Sequence, residues 1–140
     1  MPQFNSPYDP KEGPYIEVIV SKPSSLYSED EVSQSKEKLR MLIDTGASKT
    51  AISTKVAQRM GLVPEGQREM TLASGTVMAN LYYIDFEFGG VFPAVCLNTM
   101  EVVEFKLPTN NWRDGLIGRD FLEKITLEIN APSKTFKIVT

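Results

Sequence analysis

The residue best placed for chemistry is Asp44, which ends the apolar run M-L-I and is followed by the small residues T-G-A-S. Such a run predicts a buried strand, so this carboxylate would sit where solvent is restricted and its affinity for a proton can be tuned. A carboxylate in that position can serve as a general base. Asp and Gly are also common turn formers, and a plain β-turn is a second explanation of D-T-G.

The residue types that are missing narrow the chemistry. The chain has no histidine, and its one cysteine is Cys96. A Ser-His-Asp triad, a Cys-His dyad, a His-ligated zinc and an intrachain disulfide are therefore impossible within one chain. An enzyme built from this chain must use carboxylates, lysines, tyrosines or backbone groups. Cys96 itself is predicted to be a small buried apolar residue.

A second motif, D-G-L-I-G-R-D, begins about 70 residues after Asp44. The order I-D-T-G-A-S and then G-L-I-G-R-D resembles the retropepsin family, the retroviral-type aspartic proteases and their cellular and bacterial relatives. The resemblance extends over residues 14–140 and includes a leading strand, the A-S-G hairpin and a terminal strand. It implies one all-β domain over these residues, a closed acid-protease barrel with one or two short helices.

The resemblance also implies a mechanism. Aspartic proteases place two carboxylates together, and the pair shares one proton because like charges at short range do not both ionise easily. One carboxylate acts as general base on a water molecule while its protonated partner donates to the scissile carbonyl. No metal and no other cofactor is required. Since the chain contains one D-T-G, the family implies a homodimer that uses Asp44 twice and cleaves extended peptides or proteins at apolar residues.

Within the catalytic loop, the resemblance gives each residue a role. Thr45 would hydrogen-bond across the two-fold axis and lock the two loops together. Gly46 would offer its carbonyl, and Ala47 and Ser48 their backbone groups, to the extended peptide. Retroviral members usually carry acids after D-T-G-A, where this chain has Ser48 and Lys49. Lys49 is therefore predicted to alter the side-chain preference near the cleft.

Further roles fall on the second motif and on the A-S-G hairpin. Ile117 and Gly118 would pass beneath the catalytic loop, and Arg119 would brace it by hydrogen bonds or an ion pair. Three residues are assigned to the tip of a flap that closes over substrate: Ser74, Gly75 and Thr76. Two plainer interpretations stay open, namely that Gly75 only forms a hairpin turn and that Arg119 is only a surface charge.

Two other functions remain open from the sequence. The chain could be a catalytically idle domain of the same fold that serves dimerisation or peptide binding. It could also be an all-β assembly protein with a chance motif. An intact D-T-G-A favours the enzyme, because a scaffold has no physical need for a buried acid, which is costly to desolvate.

Local patterns predict the elements that must position these residues. Ser53 or Thr54 is predicted to cap a short helix that stops at Gly61, and helical turns are expected after Gly118. The polar segment 21–38 is predicted to be an exposed loop, with room for a helical turn. Runs rich in β-branched and aromatic residues predict strands or hairpins over residues 14–20, 38–43, 50–53, 69–88, 101–107, 115–118 and 125–139. Residues 1–13 are predicted to form an irregular tail, and strand 135–139 to offer an unpaired edge to a second copy.

Composition limits partners and location. The chain has 140 residues, a net charge of −3 and no basic face, so nucleic acid is not an expected partner. No apolar stretch approaches the roughly 18 residues of a membrane helix, and the N-terminus lacks the pattern of a signal peptide. We expect a cytoplasmic protein or a soluble domain of a longer one.

Overall fold

A computed structural model describes residues 3–87, 96–106 and 113–139 of the chain. Residues 88 and 107, at the ends of two predicted strands, lie outside these ranges. The described elements follow in chain order: β1 (Gln3–Pro7), β2 (Tyr15–Ser21), α1 (Glu29–Ser35), β3 (Glu37–Ile43), β4 (Ala51–Ser53), α2 (Thr54–Met60), β5 (Gly66–Leu72), β6 (Gly75–Glu87), β7 (Cys96–Phe105), β8 (Gly115–Ile117), α3 (Arg119–Leu122), β9 (Thr126–Asn130) and β10 (Thr135–Val139).

Six strands form a closed barrel. Their order is β2-β3-β8-β4-β7-β6, and pairing of β2 with β6 closes the circle. Two of the pairs, β3 with β8 and β4 with β7, are parallel, and the others are antiparallel. β5 pairs only with the first half of β6, so this hairpin extends beyond the barrel wall. The predicted closed all-β barrel is confirmed, and the described ranges contain three short helices where one or two were expected.

The barrel interior follows from alternating apolar residues. In β3, Leu39, Met41 and Ile43 are buried while Arg40 between them is exposed. An alternating strand of this kind turns one face to the core and the other to solvent. The apolar face of β3 therefore holds the strand in place up to its last residue, immediately before the D-T-G-A-S loop.

Serine caps mark the start of two of the short helices, α1 and α2. Ser53 accepts a hydrogen bond from Val56 N at the start of α2, and Gly61 ends it with a φ of 67°. Both features agree with the sequence-based prediction. Within the polar segment, Ser28 caps the N-terminus of α1 in the same way. No helix in the described part of the chain has the length and apolar character that crossing a membrane requires.

The chain ends form a second sheet, in the order β1-β10-β9. The prediction that residues 1–13 form an irregular tail is wrong for β1, because all five of its residues pair with β10. β10 is hydrogen-bonded on both sides, so the prediction that residues 135–139 offer an unpaired edge is wrong. Within the described ranges, the outer strands of this sheet are β1 and β9.

The prediction that Cys96 is buried is wrong, because its side chain is exposed. It begins β7 opposite Glu87, one position before Leu97, which packs against the core. Neighbouring residues of a strand point to opposite faces, so the inward position of Leu97 turns Cys96 outward.

A part-buried hydrogen bond connects β6 to β7 in the barrel wall. The Tyr82 hydroxyl donates to Glu104 Oε1 over 2.6 Å, and Tyr82 is only 4% exposed. Burial, and then the hydrogen bond and negative charge of Glu104, raise the pKa of Tyr82 to about 12. The neutral phenol is thus favoured in the folded protein.

Candidate active site

The two sequence motifs meet at the end of a parallel strand pair. Ile43 at the end of β3 lies in register with Ile117 at the end of β8. The next residue, Asp44, donates its backbone N–H to Ile117 O over 2.9 Å. Asp44 is half-buried at this point. The apolar face of β3 and the short strand β8 thus fix the position from which its carboxylate projects.

A tight turn carries the D-T-G residues. Ala47 N donates to Asp44 O over 3.1 Å, and Gly46 N donates to Asp44 Oδ1 over 2.9 Å. A Cβ on Gly46 would lie 3.2 Å from the same Oδ1, so a side chain there would crowd the carboxylate. Thr45 and Gly46 are exposed. The turn thus presents one oriented carboxylate at a surface that another chain can reach.

Gly118 packs directly against this loop. A Cβ on Gly118 would lie 2.5 Å from Lys49 C, 2.6 Å from Lys49 O and 3.0 Å from Ala47 O. These are backbone atoms, which cannot move aside as a flexible side chain can. Only glycine fits at this position, and its close approach ties the G-L-I-G motif to the D-T-G-A-S loop.

Arg119 makes two contacts with the same loop. Its backbone N–H donates to Ala47 O over 2.8 Å, and its Nη1 donates to Thr45 O over 3.0 Å. The side chain is exposed, but it spans the turn from outside rather than extending into solvent. Arg119 thus holds two backbone carbonyls of the 44–48 loop, Ala47 O and Thr45 O.

Thr50 and Asp120 hydrogen-bond to each other beside the loop, and neither was predicted from the sequence to belong to the site. Asp120 Oδ1 accepts from Thr50 N at 2.9 Å, from Thr50 Oγ1 at 2.7 Å and from Phe121 N at 2.8 Å. Thr50 Oγ1 in turn accepts from Gly118 N at 3.1 Å, and Thr50 is fully buried. A lone Thr before a strand and an Asp at the start of a helix also suit ordinary capping, so their types gave no specific signal.

The hairpin β5–β6 carries the predicted flap residues. Its register pairs Leu72 with Gly75 across a turn at residues 73 and 74. Gly75 has a φ of 126°, which L-residues rarely adopt, and a Cβ there would meet nothing within 4 Å. All three predicted residues at this tip are exposed: Ser74, Gly75 and Thr76. The structure therefore brings residues 44–48 together with 117–119 and places 74–76 at the end of a projecting hairpin.

A comparison with protein-family models matches the chain to the model described as aspartyl protease. The match spans residues 31–121, well over half of the chain and including both motifs. The chain belongs to the aspartyl protease family. No curated protein sequence matches it.

Solved structures show the same fold. A retropepsin-like aspartic protease from Rickettsia conorii is 18% identical with a TM-score of 0.67, and the match covers 97% of this chain and 89% of that one. EIAV protease, complexed with the inhibitor HBY-793, is 16% identical with a TM-score of 0.53 over 85% of this chain and 93% of the other. The family member described here thus has the retropepsin-like barrel.

Proposed function

We propose that this protein is an aspartic endopeptidase that works as a homodimer, with one Asp44 from each copy. The observation that carries the proposal is the turn at Asp44, where a half-buried carboxylate is oriented by Gly46 N beside exposed loop backbone. A rigid loop suits this chemistry because the reacting groups must hold a fixed geometry.

The reaction follows from two carboxylates that share one proton. The ionised carboxylate accepts a proton from a water molecule, and the water oxygen attacks the peptide carbonyl carbon. The protonated carboxylate donates its proton to the carbonyl oxygen, which gives a neutral tetrahedral diol. When the C–N bond breaks, the protonated carboxylate gives its proton to the leaving amine and the ionised carboxylate takes a proton from one diol hydroxyl. The diol becomes a carboxylic acid, and the pair again holds one proton.

The exposed surface of the catalytic loop supports a second copy as the partner. Thr45 and Gly46 are exposed in one chain, while Arg119 holds the Thr45 carbonyl and the Asp44 carboxylate holds the Gly46 N–H. A two-fold axis beside this turn would bring the same residues together from both copies. Thr45 would then hydrogen-bond across the axis.

The proposed peptide-binding surface consists of the loop and the hairpin. Gly46 and Ser48 would pair with the backbone of an extended peptide. The backbone N–H and carbonyl of Ala47 are already bonded to Asp44 O and Arg119 N, so Ala47 would contact the peptide without pairing with it. The hairpin tip at residues 74–76 would close over it. Beside that tip, Val77 and Met78 are 44% and 59% exposed, which supports a preference for apolar side chains.

Digestion of a peptide library by the wild type and by Asp44→Asn over a range of pH tests this proposal. The wild type should cleave fastest on the acid side, because one carboxylate of the pair must be ionised while the other keeps its proton. Asp44→Asn should fold normally and cleave nothing, because the nearly isosteric amide cannot take up the proton of the water. Equal cleavage by both proteins would remove Asp44 from the mechanism.

A second measurement separates the enzyme from the idle module. A statine-type inhibitor, which mimics the tetrahedral diol, should bind tightly and with one molecule per two chains. Folded dimers that bind peptide and never cleave it, at any pH, would show that the chain is a binding module instead.

A further inference from the structure

A cavity of about 320 Å³ lies at the far end of the catalytic loop. It is lined by Lys49 from the loop, by Asp120 and Lys124 from α3 and the turn after it, and by residues 97–101 of β7. The cavity borders the 44–49 loop and the first residues of α3, which belong to the site described above. Lys49 contacts Gly118 through its backbone, and Asp120 follows the arginine that braces the loop.

The acidic residues that line this cavity have hydrogen-bond or ion-pair partners, whereas its two lysines form no ion pair within the described ranges. Glu101 pairs with Arg68 over 2.9 Å, and Asp120 Oδ1 already accepts three hydrogen bonds. Within the described ranges neither Lys49 nor Lys124 forms an ion pair. The lining therefore includes two lysines without an ion pair, whereas the charge of Glu101 is paired with Arg68 and the Asp120 carboxylate is held by neutral donors.

Lys49 lies between the proposed peptide-binding loop and this cavity. Lys49 directly follows Ser48, the last residue proposed to pair with the peptide backbone. An extended peptide advances about 3.3 Å per residue, so a chain that runs along residues 46–48 from Asp44 reaches Lys49 within two or three residues. Leu97 and Met100 also line the cavity and provide contacts for the methylene groups of a guest side chain.

We propose that Lys49 and Lys124 form a subsite for an acidic side chain, which makes the enzyme select Glu or Asp two or three residues from the scissile bond. The inference rests on the proposed function, because it takes the 44–48 loop as the peptide-binding surface. Selectivity arises because a carboxylate gains two cationic partners, whereas an amide gains only hydrogen bonds and a lysine is repelled.

The test measures binding apart from cleavage. Fluorescent octapeptides, identical except for Glu, Gln or Lys at one position at a time, are bound to Asp44→Asn and digested by the wild type. At one or two positions Glu should bind about 3- to 10-fold more tightly than Gln, as for a partly solvated ion pair, and the advantage should shrink at high salt.

Variants of Lys49 identify the cause. In the Asp44→Asn background, Lys49→Gln should reduce the Glu-to-Gln ratio to about one, and Lys49→Glu should make the Lys peptide the tighter ligand. Lys124→Gln should give a partial reduction. Lys55→Gln, which removes an exposed lysine of α2, should leave the ratio unchanged.

The outcomes distinguish the acid-selective subsite from the endopeptidase activity on which it rests. A Glu-to-Gln ratio of one at every position, or a ratio that Lys49→Gln leaves unchanged, overturns the acid-selective subsite even when cleavage is efficient. Binding that prefers Glu through Lys49 without cleavage by the wild type supports the subsite and overturns the endopeptidase. Absence of both binding and cleavage overturns both.

Discussion

Gly118 and Lys49 are packed backbone to backbone, so that a Cβ on Gly118 would lie 2.5 Å from the Lys49 carbonyl carbon. Gly118→Ala should therefore push the catalytic loop away from β8 and destabilise the fold by about 1–3 kcal/mol, the usual cost of overpacking. Urea unfolding of the variant measures this loss. Peptidase activity should fall by more than the smaller folded fraction explains, because small displacements of the reacting groups slow the reaction.

Gly75→Ala is the matched comparison for that variant. Its Cβ would meet nothing within 4 Å, but its φ of 126° is unfavourable for alanine. The cost should be about 1 kcal/mol, from backbone strain alone. Equal stability of wild type and Gly118→Ala would show that the close approach of the two motifs is not required.

Thr50 should matter through its hydroxyl rather than its volume. Thr50→Val keeps the shape but leaves Gly118 N without an acceptor and removes one donor to Asp120. We expect a loss of about 2–3 kcal/mol in the free energy of unfolding, as for unsatisfied buried groups. Faster exchange of the Gly118 amide proton would locate the effect.

Thr50→Ser provides the control, because it keeps the hydroxyl and removes only a methyl group. Its cost should be about 1 kcal/mol, and the Gly118 amide should stay protected. If the valine and serine variants lose the same stability and the same activity, the hydrogen bonds of Thr50 do not hold the site.

The buried phenol of Tyr82 predicts how stability depends on pH. Its pKa is raised to about 12 in the folded protein, above the ordinary value of 10.0. Below pH 10 both states keep the proton and the contribution is fully present. As pH rises from 10 to 12 the unfolded chain loses the proton first, so the free energy of unfolding should fall by about 3 kcal/mol in total.

Chemical denaturation at a series of alkaline pH values measures this slope. Tyr82→Phe should flatten the part of the slope that Tyr82 causes, whereas Tyr83→Phe, on the opposite face of β6, should leave it intact. A slope that survives in Tyr82→Phe would assign the alkaline loss of stability to other groups.

Most of the barrel and the core of the site could be predicted because their signals are local. The alternation in β3, the cap at Ser53 and the glycine at position 61 each report on neighbouring residues in the chain. The two motifs were informative for the same reason, since each combines an apolar run with residues that only a tight turn or close packing requires.

The errors arose where distant residues decide the structure. β1 contains few strand-forming residues, and its conformation depends on pairing with β10 at the other end of the chain. The same pairing occupies the edge of β10 that was predicted to be free. The roles of Thr50 and Asp120 likewise depend on contacts between residues 70 positions apart.

The proposal that both copies supply a carboxylate can be tested by mixing subunits. Wild-type protein is unfolded and refolded with increasing amounts of Asp44→Asn at constant total concentration, so that copies pair at random. If a dimer needs two Asp44 groups, activity should fall with the square of the wild-type fraction, to about a quarter in an equal mixture. If each chain works alone, half of the activity should remain. Lys55→Gln, an exposed variant of α2, serves as the control for refolding losses, and a linear fall with Asp44→Asn would overturn the shared site.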